Sequence, residues 1–392
     1  MGRRFNVIGV LIALLFVAGF ISTSVQEAEA VPSFAKKYGT TCSACHSTWP
    51  MLNATGRSFK ENGYKFPGVK DKDMAISDDL YLGKAFPISA VLTARPYDEK
   101  KSGNRKLRAL HEAELISAGI IYKNVSGFLE LEAEDENGFI VEIPTAALTY
   151  NYSGLFNLQF SYSDMLLADP YDTYSSRVLT RGKYSVIDKA FGGADAGGKL
   201  RSSRQVLAVY GRPVSSVFYT VGLSGVAGDA EGEDAKNVHA RVAVDVLPNI
   251  MVGLFGVSGQ WNYVDVLDKN ISRDFRRLGL DFQADYNDFR FMGVFLGAED
   301  DKADGVTEKN NAWYLQALYV VSKNSSPWIV PLIRVDSYEK ADGAADYSEL
   351  TLNSSYYFTQ NIKAIAEYWT QVDVPDGEPK DNRLTVQISA AF

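Results

Sequence analysis

Leu384-Thr385-Val386-Gln387-Ile388-Ser389-Ala390-Ala391-Phe392 is the last stretch of the chain. Its even positions are apolar and most of its odd ones polar, the period of a β-strand with one face against lipid or core and the other in water. The parity recurs in Leu129, Leu131 and Ala133 against Glu130, Glu132 and Glu134, and in Leu278, Leu280, Phe282 and Ala284 against Arg277, Asp281, Gln283 and Asp285. It recurs again in Ala240, Val242, Val244 and Val246 against His239, Arg241 and Asp245. Charges on one face and aliphatics on the other, strand after strand, suit a barrel whose lumen is wet and whose outside meets lipid. A soluble sandwich would turn the charges outward.

About sixteen such segments follow one another, near 84–96, 107–122, 126–135, 139–151, 154–163, 204–212, 215–226, 237–247, 250–260, 273–286, 288–299, 311–322, 327–338, 346–358, 361–373 and 382–392. Tight connectors such as Pro248-Asn249, Asn287 and Thr359-Gln360 nearly alternate with longer ones, at about 97–106, 164–203, 227–236, 261–272, 300–310, 339–345 and 374–381; Glu136-Asn137-Gly138 is the exception. Short turns at one end and long loops at the other are the asymmetry of outer-membrane barrels, and an even strand number puts both barrel ends in the periplasm. The expected fold is therefore all-β, an antiparallel outer-membrane β-barrel of about 16 strands over residues 77–392. A terminal Phe on an alternating strand resembles the signal by which such barrels are recognised for insertion. Trp313, Trp328 and Tyr368 read as interfacial girdle residues. A net charge of -8 argues against nucleic acid as a partner and leaves outer-membrane lipid as the surrounding medium.

Upstream the pattern is different. Arg3 and Arg4, the apolar run Val7 to Ile21 and Ala28-Glu29-Ala30 make residues 1–30 a secretory signal, with the mature chain expected to begin at Val31. Cys42-Ser43-Ala44-Cys45-His46 then has the spacing of a c-type haem attachment site, in which two thiols add to the porphyrin vinyls and the next imidazole coordinates the iron. A redox Cys-x-x-Cys normally follows a strand in a βαβ unit, and zinc needs a second ligand pair that two cysteines and three histidines hardly supply.

Residues 31–76 form the expected monohaem segment, mostly helical, with a short helix from Leu52 that closes at Asn62-Gly63. Phe34, Trp49, Leu52, Phe59 and Tyr64 can line a haem edge but are too few for a self-sufficient core, so the segment is expected in the barrel mouth or lumen as a plug. For the distal iron position Met51 follows His46 too closely. Met74 can reach across a haem, and His239 has lumen parity; His111 shares the parity of Ala113 and Leu115 and is expected to face outward. Glu130, Glu132 and Glu134, and the loops around Asp229–Asp234 and Glu299–Asp304, offer hard oxygen ligands that can gather a divalent cation. The plainer reading pairs them with Arg241, Arg277 and Arg334.

Pro32-Ser33-Phe34-Ala35, Cys42 to His46, Pro50-Met51-Leu52 and Gly56 to Tyr64 together resemble the N-terminal signature of fused monohaem cytochrome-porins of the bacterial outer membrane, with weaker similarity through Ile116 to Phe128. The resemblance implies one covalent haem c on Cys42 and Cys45, with His46 as proximal ligand. It also implies extracellular Fe(II) as electron donor and a periplasmic cytochrome c or copper protein as acceptor. In that reading the protein is an electron-transfer protein, a ferrous iron oxidase in the broad sense, with no separate catalytic residue. The competing readings are a porin whose haem segment is a plug, gate or sensor, and a conduit that delivers electrons to an external acceptor.

Overall fold

The computed structural model describes residues 33–66, 88–189, 191, 199–232, 237–264, 270–302 and 305–392. The expected signal at 1–30, the start of the mature chain and Met74 lie outside the described residues. Among those described, sixteen strands close into an antiparallel barrel. They run from β3 (Ile88–Lys100), β4 (Lys106–Tyr122) and β5 (Val125–Glu134) through β6 (Val141–Asn151), β7 (Asn157–Ser163), β8 (Arg204–Val214) and β9 (Val217–Ser224). The wall continues with β10 (Asn237–Leu247), β11 (Ile250–Val264), β12 (Asn270–Tyr286), β13 (Phe289–Asp301) and β14 (Thr307–Tyr319). A short β15 (Val321–Lys323) continues β14 past Val320, and both pair with β16 (Ser326–Lys340), so the two pieces act as one strand. After β17 (Ala345–Thr359) and β18 (Ile362–Asp373), β19 (Asn382–Ala391) pairs with β3, Ala391 opposite Val91, and the edge disappears.

The period-two reading holds on the faces. Leu278 and Leu280 stand 62% and 58% exposed on the outer surface while Arg277, Asp281 and Gln283, of the opposite parity, are buried inward. Val242 and Val246 project outward while His239 and Arg241 are buried; on β19 Ile388 is exposed while Thr385 and Ser389 face in. An apolar exterior around a polar interior is stable only where the exterior does not meet water, which makes this a membrane-spanning barrel.

Two features depart from expectation. The strands run further into the long-loop end than their apolar pattern does: β11 reaches Val264, β12 begins at Asn270 and β13 reaches Asp301. Backbone pairing outlasts the membrane because polar residues beyond it lose nothing by continuing the ladder. His111, expected outward, is buried on the lumen side, its Nδ1 2.8 Å from Asp135 Oδ1. The cause is a bulge: Thr93 pairs with Glu112 but Arg95 with Arg108, so β4 spends four residues where β3 spends two, and within that excess His111 turns inward beside Glu112 while Arg108, Glu112 and Glu114 keep one parity.

The lumen is filled from two sources. Residues 33–66 cross it at the short-turn end. The connection between β7 and β8 folds inward, burying Met165, Tyr171, Tyr174, Leu179, Tyr184 and Ile187. Arginines of the wall hold that connection: Arg241, itself held by Asp281 of β12, forms an ion pair with Asp169 at 2.8 Å, Arg290 bonds Asp172 at 2.8 Å, and Arg334 donates to Thr180 Oγ1 at 2.7 Å. Tyr184 stacks on Tyr314, ring centroids 4.1 Å apart. Its density of leucines and tyrosines is the signal, legible in sequence, that this connection is no external loop.

Candidate functional site

The thiols sit on one tight turn. After α1 (Ser33–Tyr38), residues Cys42–Ala44 form a single 3-10 turn, followed by a small hairpin of β1 (His46–Thr48) and β2 (Met51–Leu52) and then α2 (Ala54–Glu61). Asn53 organises this knot. Its Oδ1 accepts from Gly56 N at 3.0 Å and caps α2, while its Nδ2 donates to the carbonyls of Ser43 and Ala44. Its own backbone N–H donates to Cys45 O at 2.9 Å. Helix and motif touch so closely that a Cβ at Gly56 would lie 2.1 Å from Cys45 O, so only glycine fits. At the other end of α2, Gly63 (φ +70) turns the chain, and Gly63 N and Tyr64 N return to Lys60 O and Phe59 O.

Cys42 and Cys45 are free thiols, partly buried, and burial pushes both above the ordinary thiol range. His46 Nδ1 lies 3.1 Å from Pro50 O. When that nitrogen donates to the carbonyl, the tautomer leaves Nε2 as the lone-pair nitrogen. Burial also lowers His46 to about 4, against the pull of the Pro50 and Met51 backbones, and so keeps the ring neutral. Two adjacent thiols and one neutral imidazole of fixed tautomer are the donor set that covalent haem attachment requires.

The aromatic residues expected at a haem edge pack largely on one another. Phe34, Tyr38, Tyr64 and Phe66 surround Phe59 with centroids 4.9 to 6.4 Å away, and Tyr64 reaches Phe128 on the wall at 5.7 Å. Polar contacts complete the docking. Glu61 forms a two-pronged pair with Arg212 at 2.6 and 2.9 Å, Lys60 Nζ donates to Asp169 O at 2.6 Å, and Arg57 lies over the Tyr171 ring. Ser43 N donates to Gln360 Oε1, Tyr357 OH donates to Trp49 O at 2.8 Å, and Lys363 Nζ donates to the same carbonyl at 2.9 Å.

Above this floor opens a chamber of about 1130 Å³. Trp49, Pro50, Val91, Lys363 and Ser389 line its short-turn end; Glu136, Glu142, Asp188 and Ala230 line its long-loop end. One wall is carboxylate: Glu112, Glu114, Glu130, Glu132 and Glu134, brought together by the β4–β5 ladder, where Glu112 pairs with Glu134 and Glu114 with Glu132. Glu130 is taken by Arg177 at 2.7 Å, whereas oxygens of Glu112, Glu132 and Glu134 lie within 4.8 Å of one another. Arginine pairing thus accounts for Asp281, Asp300 and Asp336 but not for this trio.

Of the proposed iron ligands, His46 stands at the floor. His239, at the start of β10, lies at the opposite, long-loop end, buried, its ring against Gly222 and both nitrogens without a hydrogen-bond partner among the described residues. The fold therefore does not bring His239 to His46. Met51 is fully buried in the core shared with Met165 and Tyr184, engaged in packing.

No family model and no curated protein matches the chain. Among solved structures it is similar to an anion-selective porin from Comamonas acidovorans, with 14% identity and a TM-score of 0.59 over 78% of this chain and 98% of that one. It is also similar to OmpT, an outer membrane protein of Vibrio cholerae, with 12% identity and a TM-score of 0.56 over 78% and 98%. OmpF of Salmonella typhi gives 15% and 0.57 over 80% and 98%. At such identities the likeness is one of fold, and the fold is that of a porin barrel.

Proposed function

We propose that the protein resides in the outer membrane and takes electrons from extracellular ferrous iron through one haem c, held by Cys42, Cys45 and His46, for a periplasmic cytochrome c or copper protein. The observation that carries this reading is the chamber. It runs from the long-loop end, past the carboxylate wall, to Trp49 and to Pro50, whose carbonyl lies 3.1 Å from His46 Nδ1. A haem bound on the motif supplies a one-electron acceptor. Cys42 and Cys45 supply its covalent attachment, and the Nδ1 contact to Pro50 O orients His46 Nε2 as the proximal donor. The carboxylates gather a hard divalent cation and hold it in the chamber, where one ferrous ion gives up one electron and departs outward as ferric ion. Keeping the metal outside protects the periplasm from ferric precipitates.

The porin reading draws on the similar solved structures, and the inward-folded connection and the docked segment 33–66 weigh against an open path. Stopped-flow mixing of the haem-loaded protein with Fe(II) at several pH values tests the choice. Haem reduction without solute flux in liposomes is the expected result. No reduction at any pH removes the reading, and solute flux through the wild-type barrel favours the porin.

A further inference from the structure

Lys363 occupies the floor of the chamber. It lies near the start of β18, 3% exposed, with Nζ 2.9 Å from Trp49 O and 4.2 Å from the centroid of the Trp49 ring. Its cross-strand neighbours, Tyr357 on β17 and Ser389 on β19, are uncharged. Burial works against its charge, and Glu114 on the carboxylate wall works for it. The other cations lining the chamber are Arg177, paired with Glu130, Arg201, paired with Asp188, Arg181, paired with Asp98, Arg95, which donates to Gln387 Oε1, and Lys183.

As a pin for the plug, an ammonium group is a costly choice. A neutral donor would satisfy the Trp49 carbonyl, which Tyr357 already serves, without the desolvation of a charge. The charge is what a neutral donor would not supply. A cation drawn down the carboxylate wall also passes Arg181, paired with Asp98, and Arg95, which donates to Gln387; of the chamber's cations Lys363 is the one hydrogen-bonded to Trp49 O, and repulsion of a doubly charged ion by an ammonium at contact range is strong in a partly desolvated site.

We infer that Lys363 is the electrostatic stop of this inlet, halting a divalent cation at Trp49 while an electron passes on toward the Cys42 to His46 motif. The inference rests on the reading that the chamber admits a divalent cation. The test uses haem-loaded, full-length protein in liposomes that hold a Mn(II)-quenched dye, and compares wild type with Lys363→Gln and Lys363→Arg. Wild type and Lys363→Arg are expected to exclude Mn(II), and Lys363→Gln to admit it about tenfold faster or more, with arabinose influx equal in all three. Exclusion by Lys363→Gln equal to wild type overturns the inference. So does arabinose influx that rises together with Mn(II), because Lys363 would then only hold the plug in place. Haem reduction by Fe(II), read on the same samples, is independent: its absence alongside a Mn(II) leak ends the donor reading and leaves the stop standing.

Discussion

At the scale of single residues, the motif depends on a neighbour that carries no ligand atom. Asn53 caps α2 and holds the carbonyls of Ser43 and Ala44, so Asn53→Ala is expected to destabilise the segment by about 2 to 3 kcal/mol. Haem retention during thermal unfolding is the measurement. Gly56→Ala is expected to be worse, since its Cβ would collide with Cys45 O and with Leu52; the native haem spectrum should be lost while the barrel still migrates as a folded species on a non-denaturing gel. His46→Ala is expected to leave that barrel equally intact and likewise abolish the native spectrum. The spacing of Cys42, Cys45 and His46 is visible in the sequence itself. The importance of Asn53 and Gly56 is not, because it lies in a contact between two elements that sequence periodicity does not register.

At the scale of elements, alternation gave nearly every strand, since a side chain on a barrel wall has only two directions to point. It failed at β4, where the bulge near Arg95 put His111 inside, and at residues 164–203, where length alone suggested an external loop. That inward connection is latched by Arg241 against Asp281 and Asp169. Asp281→Ala leaves a buried guanidinium short of a partner and is expected to weaken the latch by about 3 to 5 kcal/mol, read as faster proteolysis within 164–203. Burial pushes Asp169 up to about 6 from its ordinary 3.8, although Arg241 pulls the other way, and burial pushes Asp164 and Asp172 in the same direction. A raised folded value means that the docked connection binds the proton more tightly than the released one. Its contribution is complete below 3.8 and is lost as pH rises through about 6. Protection factors in 164–189, with the intrinsic exchange rate at each pH divided out, should therefore be larger on the acid side of this window than on the neutral side, and the reverse order would contradict the assignment.

At the scale of the whole molecule, the barrel and the segment that closes it have separate determinants but one shared floor. The ladder from β3 to β19 supplies a rigid wall, and residues 33–66 gain from that wall the burial they cannot provide for themselves. Thr48 Oγ1 lies 2.6 Å from Tyr357 OH, across 309 residues of chain, and Trp49 O is held by Tyr357 and Lys363 together. The part of the protein that emerges first is thus anchored by strands that emerge nearly last. Closing so long a loop carries its entropic cost before any contact repays it, so the Thr48 and Trp49 anchors form only once β17 and β18 are paired. A barrel that stops short of β17 and β18 keeps the Arg212 and Phe128 contacts but loses the hold on Thr48 and Trp49, so a firmly seated segment is a record of finished assembly.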